Sequence, residues 1–197
     1  MHVLVLLAVV LVLCSVSCAR PRTQARRLPA WVFESGRPRA KPRGGIRGRS
    51  EASDFVVAAL QDEGLRFGTD GSVASLWGYL RTSHKALPPA ASRPGDVLFF
   101  QTRDPLPVTS RPTDVVCNAP DHVALVSAVD GSGRISFVEA RDGEIHRSYV
   151  DPDRPQTRRD ESGRVLNSFL RPKRVGESGD TANFAGEMVC AAIRPRS

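Results

Sequence analysis

The sequence is poor in cysteine and histidine, the usual ligands of zinc, and it has no apolar run long enough to cross a membrane. It has four cysteines and four histidines in 197 residues, and neither His84 nor His146 is spaced from a cysteine as zinc ligands are. We therefore expect no metal and no cofactor. The longest apolar run, residues 3–16, is too short to span a bilayer comfortably as a helix, but it has the length of a signal-peptide core.

That run predicts export, although no Lys or Arg precedes it. Residues 1–19 are the predicted signal peptide, because Ser17-Cys18-Ala19 fits the small-x-small rule for cleavage after Ala19. Cys18 is alternatively a lipidation site, where Ser15 stands in place of the usual Leu of a lipobox. The expected location is the periplasm or cell envelope, with or without a lipid anchor, or the medium after secretion.

Acidic residues are almost absent from residues 20–50. This segment has ten Lys or Arg against the single acid Glu34, a net charge of +9, so the remainder of the +7 chain carries −2. The basic charge therefore belongs to a Pro- and Gly-rich linker, which we expect to be disordered, and not to a nucleic-acid-reading domain. Such a basic tether is attracted to anionic envelope polymers or lipids, or it serves only as a solvated spacer.

The predicted domain has only two cysteines, Cys117 and Cys190. In an oxidising compartment they are candidates for a disulfide, and the alternative is two buried free thiols. The choice depends on the separation of their Cα atoms, which the sequence leaves open.

The apolar pattern changes at residue 51 and predicts helices first and strands afterwards. Residues 51–60 have helical periodicity with Gly64 beyond their end, and Ser72 caps a second predicted helix. Predicted strands follow at 96–101, 122–129, 134–140 and 144–150. The last three are joined by short turns and must pair antiparallel. We therefore predict one α+β domain over 51–197, with helices packed on an antiparallel meander.

The end of the chain is less regular. Residues 151–159 are polar and loop-like, and residues 163–171 (GRVLNSFLR) follow as part of a C-terminal extension. Residues 181–193 are predicted to be a closing helix, with a strand as the alternative.

Four short motifs occur in an informative order. Residues 51–56 are EASDFV, residues 94–100 are PGDVLFF, residues 122–124 are HVA and residues 137–139 are FVE. In this order they resemble the NlpC-like and CHAP-type peptidoglycan hydrolases, which have a papain-like fold, and the resemblance extends over about residues 50–149. It implies a cysteine-peptidase or amidase site in which a helix-start thiol is paired with a histidine and an orienting polar residue.

The resemblance places His122 on the family's base and Glu139 on its orienting residue. The family motif D-C-S-G-F-V aligned with residues 51–56 places Ala52 on the nucleophilic cysteine and Asp54 on the glycine. Asp54 and Asp121 are candidate binding residues beside the site. Since a methyl group cannot attack a carbonyl, the leading hypothesis is an exported, inactive and monomeric relative that binds peptidoglycan or wall peptides.

Three alternatives remain open at this point. The enzyme is active through another nucleophile, either Ser53, one step along the helix, or Cys117, five residues before His122. The protein is an envelope interaction protein that acts through its basic tether. In the third alternative, His122 only forms a hydrogen bond with a backbone carbonyl at a sheet edge.

Overall fold

The computed structural model describes residues 50–65, 70–103, 117–171 and 182–195. The predicted signal peptide over 1–19, the lipidation site Cys18 and the tether up to residue 49 lie outside the described residues. Within the described ranges, no helix combines the length and the apolar character needed to cross a membrane.

Two helices open the described chain, as the apolar periodicity predicts. Helix α1 is Glu51–Asp62 and helix α2 is Val73–Ser83. Gly64, with a φ of 84°, follows α1 in the left-handed conformation that glycine adopts without strain. The predicted cap of α2 is confirmed, because the Ser72 hydroxyl accepts a hydrogen bond from the Ser75 amide at 3.1 Å.

The strands form one six-stranded sheet. Its order is β1-β6-β2-β3-β4-β5, and every neighbouring pair is antiparallel. The bounds are Ala86–Leu87 (β1), Val97–Phe100 (β2), His122–Val129 (β3), Ile135–Arg141 (β4), Glu144–Val150 (β5), Ala185–Met188 (α3) and Val189–Ile193 (β6), with a short 3-10 helix at Pro89–Ala91. The predicted α+β architecture and the β3–β4–β5 meander are confirmed.

Each face of the sheet packs against a different part of the chain. On one face, α1 and α2 cover apolar side chains that include Val123, Leu125 and Val138. On the other face, Leu98, Phe100, Phe137 and their neighbours pack against apolar residues of the C-terminal extension. All four residues of β2 are buried, because β2 lies in the interior of the sheet and both of its faces are covered.

The predicted closing helix over 181–193 is largely wrong. Residue 181 lies outside the described residues, helix α3 has only four residues, and the strand alternative is correct for Val189–Ile193. This strand enters the sheet between β1 and β2. The physical reason is long-range, because β6 pairs with the edge of β2 that β3 leaves unpaired.

Candidate functional site

Helix α1 begins at one end of the central strands. Ser50 precedes it in an extended conformation and makes no capping hydrogen bond with its side chain. The first amides of α1 have no partner within the helix, so this end has a partial positive charge. The Glu51 carboxylate accepts a hydrogen bond from the Gly143 amide at 2.9 Å and joins the helix start to the β4–β5 turn. Ala52, in the same first turn, is 2% exposed.

His122 is the first residue of β3 and pairs with Phe100 of β2. Its ring lies 5.8 Å from the Phe100 ring, centroid to centroid. Its Nε2 atom lies 2.5 Å from Oε2 of Glu139 on the neighbouring strand β4. The structure therefore brings together the predicted base and the predicted orienting residue. The Nε2 atom of His122 contacts a side-chain carboxylate, and not the backbone carbonyl of the alternative prediction.

Glu139 is fully buried. Burial alone would raise the pKa of this carboxyl, but the hydrogen bond and the charge of His122, the Ser148 hydroxyl and the Arg141 guanidinium outweigh it and lower the pKa below its usual value. An ionised carboxylate only accepts hydrogen bonds. Nε2 of His122 must therefore carry the hydrogen, and Nδ1 is the ring nitrogen that remains for a group outside the pair.

His122 and Ala52 border the same cavity, which has a volume of about 280 Å³. Its lining comprises Ser50, Glu51, Ala52, Thr102, Arg103, Asp121, His122, Ala140, Arg141, Asp142 and Leu170. The ring belongs to the sheet face of Phe100 and Glu139, whereas α1 packs on the other face. Ala52 at the helix start and His122 at the start of β3 therefore both lie at this end of the strands, in the lining of one cavity.

Asp121 lies in the cavity wall, where it joins two chain segments. Its carboxylate accepts hydrogen bonds from the amides of Thr102 and Arg103, at 2.7 and 3.1 Å, and from the Thr102 hydroxyl. The Arg103 guanidinium is exposed and lies 3.4 Å from the same carboxylate. Asp54, the other predicted binding residue, is not among the described residues that line the cavity.

Neither alternative nucleophile, Ser53 or Cys117, is among the described residues that line the cavity. Ser53 is fully buried, and its hydroxyl donates to the Ser72 carbonyl at 3.4 Å, away from the cavity lining. Cys117 is bonded to Cys190 in a disulfide with a Cα–Cα distance of 4.9 Å. Neither group is therefore available for attack, since a disulfide-bonded sulfur cannot form the thiolate. Of the two states left open for the cysteines, the structure has the disulfide.

Sequence reasoning missed several site residues, and two of them lie next to the Glu139 carboxylate. Ser148 on β5 donates to Glu139 Oε1 at 2.8 Å, and Arg141 at the end of β4 lines the cavity. Ser148 carries no local signal, because only the register of β4 and β5 places it beside Glu139. Among the described residues, no group of three or more His, Cys, Asp or Glu side chains is arranged to hold a metal ion. The chain matches no protein-family model, no curated protein and no solved structure.

Proposed function

We propose that the chain is an exported, inactive relative of the papain-like NlpC and CHAP wall hydrolases that binds cell-wall peptides without cutting them. The proposal rests on the residues that line the cavity. His122, paired with the buried carboxylate of Glu139, lines the same cavity as Ala52, whose side chain is only a methyl group. A histidine oriented by a carboxylate is the arrangement that activates a thiol at a helix start. At the corresponding position this chain has no atom able to attack.

The parts that would bind a peptide remain in place without the nucleophile. A peptide carbonyl in the cavity would meet the uncapped amides at the start of α1, and a second group would meet His122 Nδ1. The cavity wall also has both charge signs, with Arg103 and Arg141 as cations and Asp142 among the anions. Mixed charges suit wall peptides, because these peptides carry both free amino groups and free carboxylates.

The test uses the full chain with purified peptidoglycan sacculi. We expect the protein to co-sediment with sacculi and to leave their turbidity unchanged. Ala52→Cys is expected to produce slow cleavage, because it places a thiol at the helix start in the lining of the cavity that His122 also lines. Ala52→Ser is the matched control, since a hydroxyl needs much stronger activation, and Ala52→Cys combined with His122→Ala should be inactive again. Lysis by the unaltered protein would overturn the proposal.

The charge distribution supports an additional role for residues 20–50, which carry a net charge of +9. We propose that this tether concentrates the domain on anionic envelope polymers or lipids. Raising the salt concentration should weaken envelope binding of the full chain, because salt screens exposed charges. Deletion of residues 20–50 should remove the salt-dependent part and leave binding to isolated wall peptides. Loss of peptide binding after the deletion would instead show that the tether carries the function.

A further inference from the structure

The Glu139 carboxylate has a partner on each oxygen. Oε2 faces His122, and Oε1 accepts a hydrogen bond from the Ser148 hydroxyl at 2.8 Å. Glu139 is fully buried and Ser148 is 3% exposed. A buried carboxylate oxygen without a partner loses its hydration and gains nothing in return. Ser148 therefore completes the hydrogen bonding that allows a charged group to remain at this position.

The register of the sheet explains why Ser148 has this role. His146 is directly opposite Glu139 on β5, but its Nε2 lies 3.2 Å from the Arg141 carbonyl. Ser148 pairs with Phe137 and is thus the diagonal neighbour of Glu139 on the same face. The diagonal residue, and not the one directly opposite, provides the hydroxyl.

Arg141 does not replace this hydroxyl. Its Nη1 atom is 3.9 Å from Glu139 Oε1, beyond hydrogen-bond distance, and it donates to the Phe169 and Leu170 carbonyls at 3.2 and 3.0 Å. The guanidinium contributes positive charge near the carboxylate. Orientation of Oε1 depends on Ser148.

We propose that Ser148 is a positioning residue of the site, whose hydroxyl orients the Glu139 carboxylate so that His122 keeps its Nε2 hydrogen on Glu139 and leaves Nδ1 for a ligand. The part of this inference that concerns a ligand at Nδ1 rests on the proposed function. The part that concerns the geometry of the His122–Glu139 pair does not. Second-sphere partners of this kind fix both the tautomer and the orientation of an imidazole ring.

The test is nitrogen NMR of the histidine rings in the full chain without ligand. In the unaltered protein, the neutral His122 ring is expected to show only the tautomer with hydrogen on Nε2. In Ser148→Ala we expect a mixture of tautomers, because the carboxylate is free to rotate. Ser148→Cys, nearly isosteric but a weak donor, should give the same mixture if the alanine variant does not fold. Ser148→Thr keeps the hydroxyl and should restore the single tautomer.

Ser127→Ala is the matched control, since Ser127 is a strand serine that donates to the Ser136 carbonyl at 3.0 Å and not to Glu139. It should leave the His122 signal unchanged. A single, unaltered tautomer in folded Ser148→Ala or Ser148→Cys would overturn the inference. In the Ala52→Cys background, Ser148→Ala should slow cleavage on the order of tenfold. Absence of sacculus binding by the unaltered protein would sink the proposed function alone, because the NMR result does not depend on a ligand.

Discussion

Gly186 lies in α3, close to Pro155 in the loop after β5. A Cβ atom on Gly186 would come within 2.5 Å of Pro155 Cα and 2.6 Å of Asn167 Oδ1. Asn167 is fully buried, accepts a hydrogen bond from the Asp151 amide, and donates through Nδ2 to two loop carbonyls. It cannot move aside without breaking these bonds, so the space at Gly186 is fixed by its neighbours.

Gly186→Ala should therefore lower the free energy of unfolding by about 1–3 kcal/mol, because the added methyl group overpacks a site whose nearest atoms belong largely to the backbone. Urea denaturation followed by circular dichroism measures the change. Gly78→Ala is the control with the opposite expected sign. Gly78 is in α2, and apart from its own helix no atom lies within 4 Å of the position that a Cβ would take, so alanine should stabilise the helix by about 0.5–1 kcal/mol. Equal stability of Gly186→Ala and the unaltered protein would contradict this account.

Two turns with the same sequence pattern, Asp-x-Ser-Gly-Arg, occupy residues 130–134 and 160–164. In each, one carboxylate oxygen accepts hydrogen bonds from the serine amide, the serine hydroxyl and the arginine amide. The other oxygen binds the arginine Nε at 3.0 Å. Arg164 also lies 3.5 Å from Asp130 and so connects the two turns. Together they fix the extension against the β3–β4 end of the sheet.

Because of these two turns, we expect the folded protein to lose stability in acid. The hydrogen bonds from Ser132 and Ser162, with the neighbouring arginines, lower the pKa of Asp130 and of Asp160 from 3.8 to about 2. Because the folded pKa lies below the unfolded one, this stabilisation is complete above about pH 4 and disappears as the pH falls to about 2. The double variant Asp130→Asn with Asp160→Asn should lose less in melting temperature between pH 5 and pH 2 than the unaltered protein. An identical acid loss would show that other carboxylates dominate.

Strand β6 is held at its end by an ion pair. The Arg194 guanidinium binds both oxygens of Asp96, with Nε at 2.9 Å and Nη2 at 2.8 Å, and Asp96 is 1% exposed. Asp96 also accepts a hydrogen bond from the Arg93 amide. The ion pair thus joins Arg194, the residue after β6, to the Pro-Gly-Asp turn that leads into β2.

Arg194→Ala should lower the free energy of unfolding by roughly 2–3 kcal/mol, because it leaves a buried carboxylate without its cation. Arg194→Lys keeps the charge but loses the two-point geometry, so its loss should be smaller. Asp96→Asn combined with Arg194→Ala should be less destabilising than the sum of the two single changes. Strict additivity of the two changes, measured by urea denaturation, would show that the residues do not act as a pair.

At the scale of the whole molecule, the disulfide connects β6 to the segment that leads into the site. Cys117 and Cys190 are 73 residues apart in the chain. Asp121 and His122 follow Cys117 closely, and the Asn118 and Ala119 amides between them donate two long hydrogen bonds to one oxygen of Gln101. The covalent link therefore joins one wall of the cavity to the interior of the sheet.

Reduction of the disulfide should lower the free energy of unfolding by about 4 kcal/mol, the value of the chain-entropy model for a loop of this length. The measurement is urea denaturation with and without a thiol reductant. Cys117→Ala combined with Cys190→Ala provides the control, since the reductant should not change its midpoint. An unchanged midpoint for the unaltered protein, after confirmed reduction, would exclude this contribution.

Much of the fold follows from local patterns, and the site follows in part. The periodicity around Phe55 and Leu76 predicts two helices, and the alternation and turns from residue 122 to 150 predict the meander. The motif order brings His122 and Glu139 together, as expected. The contacts of Ser148, Asn167 and Arg194 could not be predicted, because each contact joins segments whose pairing depends on the register or order of the strands.

The sequence by itself determined where the first two helices and four of the six strands lie, that Ala52 stands in the first turn of the first helix, and that the basic charge belongs to residues 20–50. Local periodicity, turn chemistry and residue identity are sufficient for these features. Only the tertiary structure decided that Val189–Ile193 is a strand next to β2, that Cys117 is joined to Cys190, and that Glu139 has Ser148 behind it. Those features depend on contacts between residues far apart in the chain, which form because buried backbone and polar groups must find partners.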